Sequence, residues 1–390
     1  MPSTRSINVS VFLLLAASLT LSAEARQSEG VLIWGSVLEE GTNRPLAGVN
    51  VFVPNTMAGT MTDADGTYQF RYRTFSPGIV VAASMIGFDM QTAEAMLDSS
   101  NEVHVPFRLA ATVYPLGEVS VTASTEEWKR NLSRLEKLLF STTRNGEDCT
   151  FQNPEYLVIS FHEDTGVVSA TADAPLVIHN NALGYALTIH DFSFTGSDLA
   201  LRQGGEMQFR ELEATSNRQR RRWNDRRLKA YRGSTRHFIG ALVSGTVTDA
   251  EYEVREVPRP GVVLHGSQYQ PSIEITEMTG VGADTTVPLF NLSFKKVLLV
   301  MYHGESEPSE YVQYQERINV RGSRWRSTTG DPNAANRPYQ ASWLTLSGGS
   351  IVVDRRGMVY GPLSMERFGY WAWERLGEVV PNDYVPTRKP

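Results

Sequence analysis

Two stretches with a strict period of two narrow the folding choices more than anything else in the chain. Val49, Val51 and Val53 alternate with Asn50 and Phe52, and Val103, Val105, Phe107 and Leu109 alternate with His104, Pro106 and Arg108. Successive side chains on a strand point to opposite faces, so one set faces inward and the other outward. Asn43-Arg44-Pro45 and Ala64-Asp65-Gly66 supply turn chemistry between such strands. From Val31 to Thr112 the chain therefore reads as a half-buried antiparallel β-sandwich.

Stability of that sandwich has to come from burial, because the chain has one cysteine, Cys149, and no intramolecular disulfide can form. Cys149 reads as a small buried side chain. The N-terminus has the anatomy of a cleavable secretory signal over residues 1–25. Arg5 gives a positive start, Val9 to Leu21 is almost wholly apolar, and Ala23-Glu24-Ala25 offers a small-x-small cleavage site. The apolar run is short for a membrane span, and no later stretch is long enough, so no transmembrane helix is expected after signal removal. With Lys+Arg 37 against Asp+Glu 43, the formal charge is −6, which argues against nucleic acid as a partner.

Gly35-Ser36-Val37, Arg44-Pro45-Leu46-Ala47-Gly48-Val49-Asn50-Val51, Gly59-Thr60-Met61-Thr62-Asp63 and Asp65-Gly66-Thr67-Tyr68-Gln69-Phe70 follow one another at set spacing, with Ile86-Gly87-Phe88 later. Together they resemble a carboxypeptidase-regulatory-like domain, which implies a transthyretin-like sandwich of about seven strands and does not imply peptidase activity. Gly48 and Gly59 are expected where a Cβ would obstruct the backbone. Asp63 and Asp65 are expected to cap the turn before Tyr68, and they lack the further ligands of a calcium loop.

A linker at 113–125 follows. Its Leu116-Gly117-Glu118-Val119-Ser120-Val121-Thr122-Ala123 resembles the segment after such a domain in TonB-dependent outer-membrane transporters. The residues beyond Ala123 are too few for a plug and a barrel of about 22 strands. Residues 126–385 read as a β-rich α+β region, giving a mainly β chain overall. Helices are expected at Glu126–Phe140, Asn217–Tyr231 and Gly369–Leu376, and a long polar loop at Gly322–Pro338. Blocks such as Cys149-Thr150-Phe151-Gln152-Asn153-Pro154, Tyr231-Arg232-Gly233-Ser234 and Gly369-Tyr370-Trp371-Ala372-Trp373-Glu374-Arg375 occur in an order that resembles uncharacterised Bacteroidetes-type proteins carrying such a domain. That resemblance implies an envelope setting and transfers no functional residues.

No catalytic constellation is legible. There is no His-x-x-Glu pair of the zinc carboxypeptidase kind, no His-Glu-x-x-His and no Gly-x-Ser-x-Gly. His162-Glu163-Asp164 reads as a solvated turn. Neither cofactor nor metal is expected. The sharpest local feature is Arg218 to Lys229, with seven basic residues and one acid, Asp225. On a helix Arg218, Arg222, Arg226 and Lys229 form one stripe, while Trp223, Ala230 and Tyr231 face the core. The stripe is either neutralised by nearby carboxylates or a candidate anion-binding site. The expectation is a non-catalytic exported envelope protein that binds or scaffolds an envelope protein, a glycan or an anionic lipid, located in the periplasm, at the outer-membrane periphery or on the cell surface. A carbohydrate-binding role and a hydrolase with a dispersed site are the alternatives. The first of these is weakened by tryptophans such as Trp34 and Trp371 that fall in expected core segments.

Overall fold

Strand β1 (Val31–Glu39) organises the first module, its buried residues Val31, Ile33, Gly35 and Val37 alternating with Leu32, Trp34 and Ser36. The computed structural model describes residues 30–74, 78–97, 101–112, 125–198, 200–264, 269–278, 288–320, 337–360 and 364–386. The signal segment, all but the last residue of the linker and nearly all of the Gly322–Pro338 loop lie outside the described residues.

The module contains seven more strands: β2 (Asn50–Phe52), β3 (Gly59–Met61), β4 (Thr67–Tyr72), β5 (Gly78–Ser84), β6 (Gln91–Met96), β7 (Glu102–His104) and β8 (Phe107–Leu109). They form two four-stranded sheets, β4-β1-β7 with β8 also on β1, and β3-β2-β5-β6. The pairings of β1 with β7 and β8 are parallel, so the sheet is mixed rather than wholly antiparallel. β7 and β8 flank Pro106, whose missing N–H interrupts what is otherwise one strand. Between the sheets lie Ile33, Val37, Val49, Val51, Val81, Val103 and Leu109, all inside one apolar core. The Asp63 carboxylate accepts from the backbone of Asp65 and Thr67 at 3.0 and 2.8 Å and caps the turn before Tyr68 as expected, while Asp65 enters that turn through its backbone N–H.

One assignment needs correcting. Trp371 is buried, but Trp34 is not a core residue. It stands on the outer face of β1 with 42% of its surface exposed. Val31 to Trp34 is continuously apolar, so the run carries no phase of its own. Pairing of β1 with its neighbours sets which residues turn inward.

Beyond the linker, α1 (Thr125–Phe140) packs on β10 (Leu157–His162) and β11 (Val167–Ala172). These belong to a six-stranded sheet with β9 (Cys149–Phe151), β12 (Leu176–Asn180), β13 (Tyr185–Gly196) and β14 (Leu201–Glu211). The long β13 carries β14 along one side, and β11 and β12 in succession along the other. Two further sheets follow. β15 (Tyr252–Val257), β18 (Val297–Tyr302), β19 (Gln340–Leu346) and β22 (Met365–Gly369) make one, and β16 (Glu274–Met278), β17 (Leu289–Ser293), β20 (Ser350–Val353) and β21 (Val359–Tyr360) make the other. A shared core of Leu292, Leu298, Val300, Leu344 and Val353 contains residues of both. β18 is buried on both faces, because Leu299 and Met301 join a second cluster. The chain is thus mainly β. No helix among the described residues is long and apolar enough to cross a membrane.

The sandwich is joined to the sheet of β13 and β14 by backbone bonds as well as side chains. Asn55 N–H donates to Met207 O, and Phe209 N–H donates to Thr56 O at 2.9 Å. The Asn50 amide donates to Gln208 at 2.6 Å, and Phe52 stacks on His190 at 4.9 Å. The C-terminal segment laces the junction. Asn382 N–H donates to Asn55 O at 2.8 Å, and the Asp383 carboxylate accepts from Met57 N–H at 3.2 Å. Arg236 holds that segment, donating to Pro381 O and Tyr384 O at 3.0 Å each.

Candidate functional site: a basic helix

The basic run forms α2 (Asn217–Tyr231), with the bounds its periodicity predicted. Ser216 caps it, its hydroxyl accepting from Gln219 N–H at 3.2 Å, and the Gln219 side chain reaches back to Thr215 N–H at 2.7 Å. The following Arg232 is already extended, which ends the helix.

One face of α2 is anchored. Trp223, Arg227 and Ala230 are buried. The Trp223 indole donates to Asn181 O at 2.9 Å and lies flat against Gly184, where a Cβ would come within 2.2 Å of the ring. Arg227 is spent on structure. Its guanidinium sits 4.0 Å over the Tyr185 ring, donates to Leu183 O at 2.7 Å and Gly184 O at 3.0 Å, and pairs with Glu211. In the sequence Arg227 looks like its basic neighbours. Only its angular position beside Trp223 marks it as inward.

The opposite face is open. Arg218, Arg222, Arg226 and Lys229 come together there as the stripe geometry required, and Arg221, absent from the predicted stripe, joins them around one shallow depression with Asp225. Helical angle explains the omission, since Arg221 lies about 60° from Arg218, at the stripe's margin. Neutralisation is uneven. Arg226 pairs with Asp148 at 3.1 Å and Lys229 with Glu305 at 3.3 Å. Arg218, Arg221 and Arg222 are exposed and form no ion pair among the described residues. The first turn holds no acid, so these charges face the positive end of the helix dipole, where an anion is favoured instead.

Below the C-terminal end of α2 the balance reverses. Burial raises the Glu305 carboxyl above the usual carboxylate range, against the pull of Lys229. Burial also raises Glu374 and Glu378; repulsion from Glu378 adds to it at Glu374, while hydrogen bonds from Thr143 and Asn145 oppose it at Glu378. Among the described residues Glu305 pairs with Lys229, and no acid forms an ion pair with Arg218, Arg221 or Arg222.

Two of the described histidines have side-chain partners from distant strands or helices. The His237 ring meets the Tyr252 hydroxyl at 3.1 Å, and burial holds its pKa near 4. His303 pairs with Glu253 at 3.3 Å. Among the described residues no three His, Cys, Asp or Glu side chains are grouped so as to hold a metal ion. Cys149 is buried, and burial pushes its thiol up to about 12.

Comparison with known proteins bears on the sandwich alone. No curated protein matches the chain. Among solved structures, a 9R-lipoxygenase from Cyanothece PCC8801 is similar at 9% identity with a TM-score of 0.17, over 64% of this chain. This chain spans 50% of the lipoxygenase, and a likeness so slight supports no shared fold or activity. Residues 33–121 match the CarboxypepD_reg-like domain family. The sequence blocks, the two sheets around one core and this match agree, and the chain carries a carboxypeptidase regulatory-like domain followed by a β-rich region of several sheets.

Proposed function

We propose that this is an exported, non-catalytic protein of the cell envelope that binds or scaffolds, and that it meets an anionic partner through the N-terminal half of α2. Export rests on Arg5, the Val9–Leu21 run and Ala23-Glu24-Ala25. The observation that carries the binding role is the trio Arg218, Arg221 and Arg222, which forms no ion pair among the described residues and stands on an open helix face of a chain whose net charge is −6. Like charges three or four residues apart repel, so folding alone gives no reason to keep them. Guanidinium groups at this spacing suit phosphate or carboxylate oxygens, which accept two parallel hydrogen bonds from each fork.

The test is Arg218→Glu, Arg221→Glu and Arg222→Glu together, with Arg226→Glu as the variant that breaks an internal pair. Binding is measured to phosphatidylglycerol vesicles and, separately, to a soluble acidic polysaccharide. At about 1 kcal/mol per basic residue near an anionic surface, the triple variant should lose roughly 100-fold in affinity or more. Its melting temperature should stay close to wild type, and wild-type binding should weaken with salt. Wild-type protein that ignores both probes at low salt would remove the proposal.

A further inference from the structure

The outer face of the β4-β1-β7 sheet holds a second feature, far from α2 in sequence and independent of it. Register places Gln69, Trp34 and His104 side by side on β4, β1 and β7. The next outward row is Arg71, Leu32 and Glu102. The Trp34 and His104 rings stack at 4.2 Å with planes 28° apart, so the imidazole braces one side of an indole that stays 42% exposed.

From these two rows we infer that the sandwich binds a neutral glycan on this face, with Trp34 as its stacking platform. Strand spacing makes each row roughly 10 Å long and sets the rows about 7 Å apart, the footprint of one or two pyranose rings. A sugar presents axial C–H groups to an aromatic face and hydroxyls around its edge. The sheet offers the indole at the centre, with an amide, a guanidinium and a carboxylate at the margins, a mixture of donors and acceptors. Charge decides against the other partners. Arg71 and Glu102 share a row with opposite signs, so the face has no field that would select an anion or a cation. A quaternary ammonium would need several rings around it. A protein partner would need an apolar centre far larger than one indole and one leucine. Folding gives no reason for a tryptophan here, since an outward strand position is served as well by threonine or lysine.

The experiment screens the mature chain on an array of neutral oligosaccharides and measures the best-retained one by affinity electrophoresis in the matching polysaccharide. Retention should fall at least about tenfold in Trp34→Ala, as for an aromatic anchor at a binding centre. Trp34→Phe should keep part of it, and Gln69→Ala should weaken it less. Circular dichroism melts of all three variants should overlay wild type. Failure of wild type to retain any neutral glycan, or retention undiminished in Trp34→Ala, overturns the inference. Retention of acidic glycans alone, abolished by Arg218→Glu and Arg222→Glu and untouched by Trp34→Ala, would also overturn it while supporting the α2 site.

Discussion

Replacing His190 by phenylalanine should stabilise the protein, and increasingly so as the pH falls. His190 is 5% exposed, stacks on Phe52 at the junction of the sandwich and β13, and neither ring nitrogen has a protein hydrogen-bond partner among the described residues. A buried polar group left unpaired costs about 1–3 kcal/mol, and phenylalanine removes that cost while keeping the stack. Burial also lowers the folded-state pKa to about 4 from 6.5. The unfolded chain therefore takes up a proton near pH 6.5 that the folded chain refuses until near pH 4. Stability from this group is intact above the unfolded pKa and is lost progressively as pH falls toward the folded one. At about pH 5 the linkage amounts to roughly 2 kcal/mol, approaching about 3 kcal/mol below pH 4. Glu206 pairs with His190 across the strands, and Asp191 follows it. Burial raises both carboxyls, but both are present in either protein and largely cancel in the difference. Urea titrations followed by circular dichroism at about pH 7.5 and about pH 5 measure the gap between His190→Phe and wild type. A gap that stays constant between the two pH values would refute the linkage. Destabilisation at both would show that the imidazole makes a bond that phenylalanine loses.

Gly184→Ala should cost at least about 2 kcal/mol, because Gly184 has φ +71 and a methyl there would strike the Trp223 indole. A thermal melt reads it, and a melting temperature equal to wild type would mean that α2 can lift off its seat. Cys149, with its thiol raised to about 12, should hold roughly 10⁻⁴ of its population as thiolate at about pH 8. Iodoacetamide should then label native protein about a thousandfold more slowly than urea-unfolded protein, and comparable rates would contradict the burial.

What could be read from the residues depended on whether each segment carried its own phase. The alternation at Val103–Leu109 and the Asp63 turn are local statements, and both elements formed as expected. The span of α2 was legible too, and so was the inward side that Trp223 and Ala230 share. The helix Thr235–Val243 was not expected. Phe238, Ile239, Gly240 and Ala241 are all buried, so it shows no polar face and no helical period. Its one signal was Ser234, whose hydroxyl caps His237 N–H at 3.2 Å. At the candidate site, the stripe followed from spacing, but which of its charges are neutralised did not. Asp148 and Glu305 come from distant parts of the chain, and only the fold brings them to Arg226 and Lys229. Trp34 was misassigned because its phase is fixed by neighbouring strands rather than by its own.

The junction at Asn55 to Met57 also settles what becomes of β14. An eleven-residue strand at the margin of a sheet would present a row of free N–H and C=O groups, the template on which chains stack into aggregates. Met207 and Phe209 give their outward groups to Asn55 and Thr56 instead. Other proteins guard such a margin with lysines, prolines or a bulge. Here the register of β14 shifts against β13 near His190, and the regulatory-like domain covers the stretch from Met207 to Phe209, so the module at the start of the chain closes part of a sheet edge that belongs to the region following it.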